Sequence, residues 1–182
     1  MTITLAMRQQ VRARAGFACE FCGISETDAG GELTIDHFHP RTRSGADSLD
    51  NLLYCCHRCN EYKADYWPDG VEGPQLWNPR VEAADAHLVE IADGTLLGIT
   101  PSGAFTIRQL RLNRVALVEH RLLRRRVADE RRLLTEFRNV LELLGQTQRQ
   151  HAALLDEHRI LLRELNRVLD ILLRFNTDTD RD

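Results

Sequence analysis

The sequence predicts an α+β protein in three parts: a small metal-pinned core, a short β-rich stretch and a long helical tail. Three observations predict this. Two Cys-x-x-Cys pairs, Cys19/Cys22 and Cys56/Cys59, bracket short β-type runs. Between residues 68 and 106, turns containing Gly separate short apolar stretches. From residue 107 to 175, Leu and Arg dominate, Pro is missing and Gly145 is the only glycine. The expected parts are 1–67, 68–106 and 107–176.

In the first part, each Cys-x-x-Cys lets two thiolates reach one ion from a tight turn, and two such knuckles complete a tetrahedral S4 site, the usual form of structural zinc. Cys55 is the odd cysteine of five and reads as a packed thiol. Four cysteines in such pairs, in a chain whose N-terminus shows no apolar secretory segment, point to metal binding in a cytoplasmic protein and away from a disulfide framework. Between the knuckles, Leu33-Thr34-Ile35 reads as a strand that delivers Asp36 and His37 to its end. A loop rich in small polar residues follows, and a second strand begins at Asn51-Leu52-Leu53. A short helix then carries Asn60 and Lys63 and stops before Trp67-Pro68.

In the second part, HLVEI, TLLGIT and AFTI read as a three-stranded meander, because ADG and PSG look like turns between β-type runs. In the third part, a heptad pattern runs from Leu134. Nine of twelve seam positions are apolar, and Gln148, His151 and His158 fill the rest. The pattern fits a continuous helix that pairs with another chain, or an αα-hairpin folding back near Gly145, with the polar GQTQRQH run favouring the hairpin. The closing NTDTDRD is expected to be frayed.

Composition narrows the function. The chain has 182 residues, 43% hydrophobic and 6% aromatic, enough for a core but too few rings for a surface built mainly on base stacking. No apolar run approaches the length of a membrane span. A formal net charge of −3 hides segregation: residues 105–140 carry a local net of +6 and residues 61–100 a local net of −6. Overall charge therefore does not exclude a nucleic-acid partner. The run Arg-Leu-Leu-Arg-Arg-Arg at 121–126 could track a phosphate backbone, although a solvated helix face is the commoner reason for such a run.

The order Cys19/Cys22, Asp36-His37, Pro40, Gly45, Asn51-Leu52, Cys56/Cys59, Asn60 and Lys63 resembles the HNH endonucleases of the ββα-metal type. The resemblance covers about a quarter of the chain. It departs from the commonest pattern in two places: Asn60 stands where the last His of the name would be, and the loop has a single Gly45 where many members have a pair. The resemblance implies a metal-dependent endonuclease hydrolysing phosphodiester bonds in DNA. His37 would be the general base. Asp36 and Asn60 would hold a catalytic Mg²⁺ or Mn²⁺, hard cations that prefer oxygen ligands. Asn51 would brace the loop and hold His37, and Lys63 would contact phosphate. Arg41, Arg43 and His39 are further candidates for phosphate contact.

Two other readings remain beside it: a non-catalytic zinc-binding adaptor, and an RNA-cleaving or toxin-like member of the same fold. The full set of Asp36, His37, Asn51 and Asn60 speaks against a pure scaffold. The helical tail would serve a homodimer or a partner subunit.

Overall fold

The computed structural model of the chain describes residues 3–70 and 73–179, with side chains through residue 171. The protein is mixed α+β. Its helices and strands, in order, are α1 (Leu5–Arg14), α2 (Glu26–Ala29), β1 (Thr34–His37), β2 (Leu52–Cys55), α3 (His57–Lys63), β3 (Leu88–Glu90), β4 (Leu96–Gly98), α4 (Pro101–Gln109) and α5 (Val115–Thr179). The chain divides into two compact units, Met1–Arg126 and Val127–Asp182. No described helix is long and apolar enough to cross a membrane.

β1 and β2 form an antiparallel hairpin in which Thr34 faces Cys55 and His37 faces Leu52. Side chains alternate across a strand, so each face of this hairpin has its own partner. Leu53 and Cys55 join a core with Cys19, Phe21, Cys59, Trp77, Leu110 and Leu117. Leu52 and Tyr54 pack on the other side with Val11 of α1, against Ile35 and Leu33. The hairpin is thus buried on both faces, which is why LLYC reads as an unbroken apolar run.

α1 has no strong pattern in the sequence and was not anticipated. Thr4 caps it by accepting from Met7 N–H at 3.2 Å. Its far end is fastened by side chains: the Arg14 guanidinium donates to the carbonyls of Leu49 and Leu52 at 2.6 Å each. Arg12 makes a two-pronged pair with Glu26, at 2.5 and 2.7 Å, and Glu26 also accepts from the Tyr54 hydroxyl. The Arg12 guanidinium holds the Glu26 carboxyl below the usual carboxylate range, so this lock exists above that range and fails in acid.

The stretch expected as a three-stranded meander is a two-stranded hairpin followed by a helix. β3 and β4 pair antiparallel, Leu88 opposite Gly98, but AFTI lies inside α4. Helix chemistry overrides β propensity here. Thr100 accepts from Gly103 N–H at 3.0 Å, Pro101 stands at the first helical positions, and Thr106 donates to the Ser102 carbonyl at 2.7 Å. Gly103 looked like a turn residue. Its role is proximity: a Cβ there would lie 2.1 Å from the His87 carbonyl oxygen.

α5 is continuous through Gly145, so the αα-hairpin alternative does not occur. The helix runs to Thr179 and includes most of the polar end expected to be frayed; residues 180–182 and the Leu172 side chain lie outside the described residues. Its first turns belong to the core unit. Leu117 is buried, and Arg121, only 4% exposed, donates to the Gly94 and Leu112 carbonyls at 2.6 and 3.0 Å. Arg125 donates to the carbonyls of Ala92 and Ile91, each at 3.0 Å. Half of the arginines at 121–126 therefore fasten the β3–β4 turn.

Gly103→Ala tests the close approach of α4 to His87. In an open helix this change gains about 1 kcal/mol. Here the added methyl forces the helix off its seat, so we expect a net loss of about 1–3 kcal/mol in urea unfolding.

Candidate active site and metal centre

The four knuckle sulfurs of Cys19, Cys22, Cys56 and Cys59 all lie within 4.8 Å of one another. Three elements bring them together. A turn after α1 presents Cys19 and Cys22, with Gly23 N–H donating to the Cys19 carbonyl at 2.8 Å. Cys56 follows β2 directly and caps α3 through its sulfur, and Cys59 sits one turn later. Glu20 binds the first knuckle to the hairpin: the Tyr54 N–H donates to it at 2.7 Å, and Arg80 pairs with it. Such crowded thiols cannot all ionise unaided. Hydrogen bonds from Cys19, Cys22 and Cys59 push Cys56 toward the thiolate, while Cys22 and Cys59 are pushed up, chiefly by Cys19. A divalent cation removes the conflict, because all four can then be thiolates. The donor set and convergence suit structural zinc. Cys55 stands apart in β2, fully buried, its thiol raised by burial, as expected of a packed thiol. His57 is exposed and outside the cluster.

The catalytic candidates distribute over the two faces of β1. Thr34 and Asp36 share the face toward α3. There the Asn60 amide donates to Thr34 Oγ1 at 3.5 Å, and Lys63, one turn on, lies 3.0 Å from Asp36 Oδ2. Asp36 and Asn60 thus bear on one face of the same strand. Asp36 Oδ2 is buried and accepts no well-aligned hydrogen bond; its neighbour is the Lys63 charge. Asp36 brings a carboxylate and Asn60 a side-chain amide to this face, residue types whose oxygens suit a hard divalent cation.

Lys63 was expected at a phosphate. It is fully buried, and its ammonium donates to the His37 carbonyl at 2.6 Å while pairing with Asp36. In this arrangement it is a bolt between α3 and the end of β1, not a surface charge.

His37 lies on the opposite face and is 8% exposed. Its Nε2 is 2.7 Å from Asp47 Oδ1. The Asp47 carboxyl is held below the usual range, first by this hydrogen bond, so it is a carboxylate and can only accept. Nε2 is then the donor in this hydrogen bond, and in the neutral form of the ring the lone pair lies on Nδ1. The sequence reading missed Asp47; an acid ten residues after a His, across a loop, has no spacing rule to reveal it.

Asn51 braces that loop. Its Oδ1 accepts from His39 N–H at 2.8 Å, and its amide donates to the His39 and Ala46 carbonyls at 3.0 and 2.9 Å. None of these three hydrogen bonds goes to the His37 ring. Asn51 fixes the backbone on both sides of the loop, next to Asp47. Gly45 lets the loop close: a Cβ there would sit 1.8 Å from the His39 carbonyl oxygen. Arg41 and Arg43 occupy a single turn of 3₁₀ helix and keep 58% and 56% of their side chains exposed, Arg41 3.7 Å from Asp47 and Arg43 3.5 Å from Asp69. The His39 ring stacks on Trp67 with centroids 3.9 Å apart.

Two outcomes follow from this geometry. Lys63→Met leaves Asp36 without its buried partner and should cost about 3 kcal/mol or more in denaturant unfolding; a lysine that only met phosphate would leave stability unchanged. Cys59→Ser, or prolonged chelation, should release a single zinc per chain and unfold the β1–β2–α3 core, read by metal analysis beside circular dichroism.

Comparison with known proteins agrees with this architecture. The HNH endonuclease family model matches residues 19–65. No curated protein and no solved structure matches the chain. The matched stretch holds both knuckles, the β1–β2 hairpin and α3. The likeness to that family therefore covers about a quarter of the chain, which continues well beyond the matched residues.

Proposed function

We propose that this chain is a metal-dependent endonuclease that hydrolyses phosphodiester bonds in DNA, working in the reducing cytoplasm where its thiolates persist. The carrying observation is the His37–Asp47 pair. A zinc scaffold has no use for a buried imidazole whose tautomer is set by a carboxylate; a nuclease needs one to take a proton from water.

His37 Nδ1 holds the lone pair that accepts this proton, and Asp47 steadies the imidazolium that results. Asp36 and Asn60 are the residues that would hold Mg²⁺ or Mn²⁺, which when bound neutralises charge on the phosphate and the leaving oxygen. Lys63 acts as a positioning residue: it fixes the Asp36 carboxylate and the His37 main chain together, so both faces of β1 keep one alignment. Asn51 and Gly45 hold the loop that carries Asp47. Arg41 and Arg43 remain the exposed cations beside that loop, suited to the flanking phosphates.

The test is cleavage of supercoiled plasmid, single-stranded DNA and RNA in Mg²⁺, Mn²⁺ or EDTA. Zinc-loaded wild type should cut DNA only with the added divalent ion. His37→Ala should lose about 100-fold or more, and Asp47→Asn about 10-fold to 100-fold, both with zinc content intact. Cutting by His37→Ala at the wild-type rate would refute the assignment, and cleavage of RNA alone would replace DNA as the substrate.

A further inference from the structure

Among the described residues, the large apolar side chains of α5 beyond residue 127 are exposed. Between Leu133 and Ile171, sixteen large apolar side chains are 46–65% exposed. Written as heptads with Leu134 at position a, thirteen of them fall in rows g, a and d, a stripe with row d along its middle.

The edges of this stripe are oppositely charged. Neighbouring helical residues are about 100° apart, so the residues just before and just after row d lie on either side of it. Those before it include Asp129, Glu136, Glu157 and Glu164, with no base; those after it include Arg131, Arg138 and Arg159, with no acid. One edge is acidic and the other is arginine. A twofold axis along the helices turns the acidic edge of one copy toward the arginine edge of the other. A twofold axis across them sets acid on acid and arginine on arginine. In the first arrangement each acid stands about 3 Å along the axis from the arginine two residues later, so Asp129 meets Arg131, Glu136 meets Arg138 and Glu157 meets Arg159 of a second copy. Within one helix, Glu136 lies 3.5 Å from Arg132 and Arg159 lies 3.2 Å from Asp156. These exposed pairs are weak and exchangeable.

We infer that residues 127–171 pair with a second copy of this chain as a parallel, in-register coiled coil, with orientation set by the acidic and arginine edges of the stripe. This stands apart from the nuclease reading and uses none of its residues.

Sedimentation equilibrium of the zinc-loaded full chain should give the mass of a dimer. Glu136→Arg with Glu157→Arg, and separately Arg138→Glu with Arg159→Glu, should each raise the dimer dissociation constant roughly tenfold or more. An equimolar mixture of the two variants should restore pairing. These positions are exposed, and helix content by circular dichroism should not change. Leu165→Cys lies on the central row, so mild oxidation should cross-link it to its own counterpart, which an antiparallel pair would keep apart. A monomeric wild type, association indifferent to both charge reversals, or a Leu165→Cys chain that never cross-links would each overturn the proposal.

Discussion

Cys22 and Cys56 are 34 residues apart in sequence, yet their sulfurs lie 3.7 Å from one another. Closing that loop costs chain entropy that two four-residue strands and a seven-residue helix recover poorly on their own. A shared cation would provide the missing closure, because four thiolates brought together without one repel. The knuckles pin the end of β2 and the start of α3 in one place. That in turn fixes where Asn60 and Lys63 meet β1, so the metal node sets the geometry of the catalytic candidates without touching any of them.

β1 then works as a partition. The pleat sends Asp36 to the α3 side and His37 to the other, and adjacent residues acquire distinct surroundings within one peptide unit. Asp36 sits against a buried ammonium, while the His37 ring sits against a carboxylate. The two sides are nevertheless coupled, because Lys63 grips the side chain on one and the main chain of the other. This is the physical sense in which a lysine without access to solvent can matter to chemistry at the surface.

Much of this was legible in the sequence. Cysteine spacing revealed the metal node, and Asp36-His37, Asn51 and Asn60 stood where β1, the loop and α3 later placed them. What stayed hidden depended on tertiary contact. Lys63 was expected at a phosphate because it matches the motif, and only packing shows it at full burial. Asp47 gains meaning only when the Asn51-braced loop returns it to His37. Gly103 read as a turn because glycine serves tight approach and tight turns alike. Arg121 and Arg125 read as a solvated or phosphate-tracking run, while their hydrogen bonds to the 91–94 carbonyls could not be inferred from a charge pattern.

Those same hydrogen bonds bear on how the long helix comes to exist. An isolated helix must first fix a turn at a steep entropic cost before each further residue adds a bond. In α5 that first turn is made by the core: Leu117 is buried, and Arg121 and Arg125 clamp the helix to the β3–β4 turn. Everything from Val127 onward can therefore propagate from a root already formed. The folded domain acts as a seed crystal for the helix, and Gly145, which costs about 1 kcal/mol relative to Ala in a helix interior, is crossed in passing.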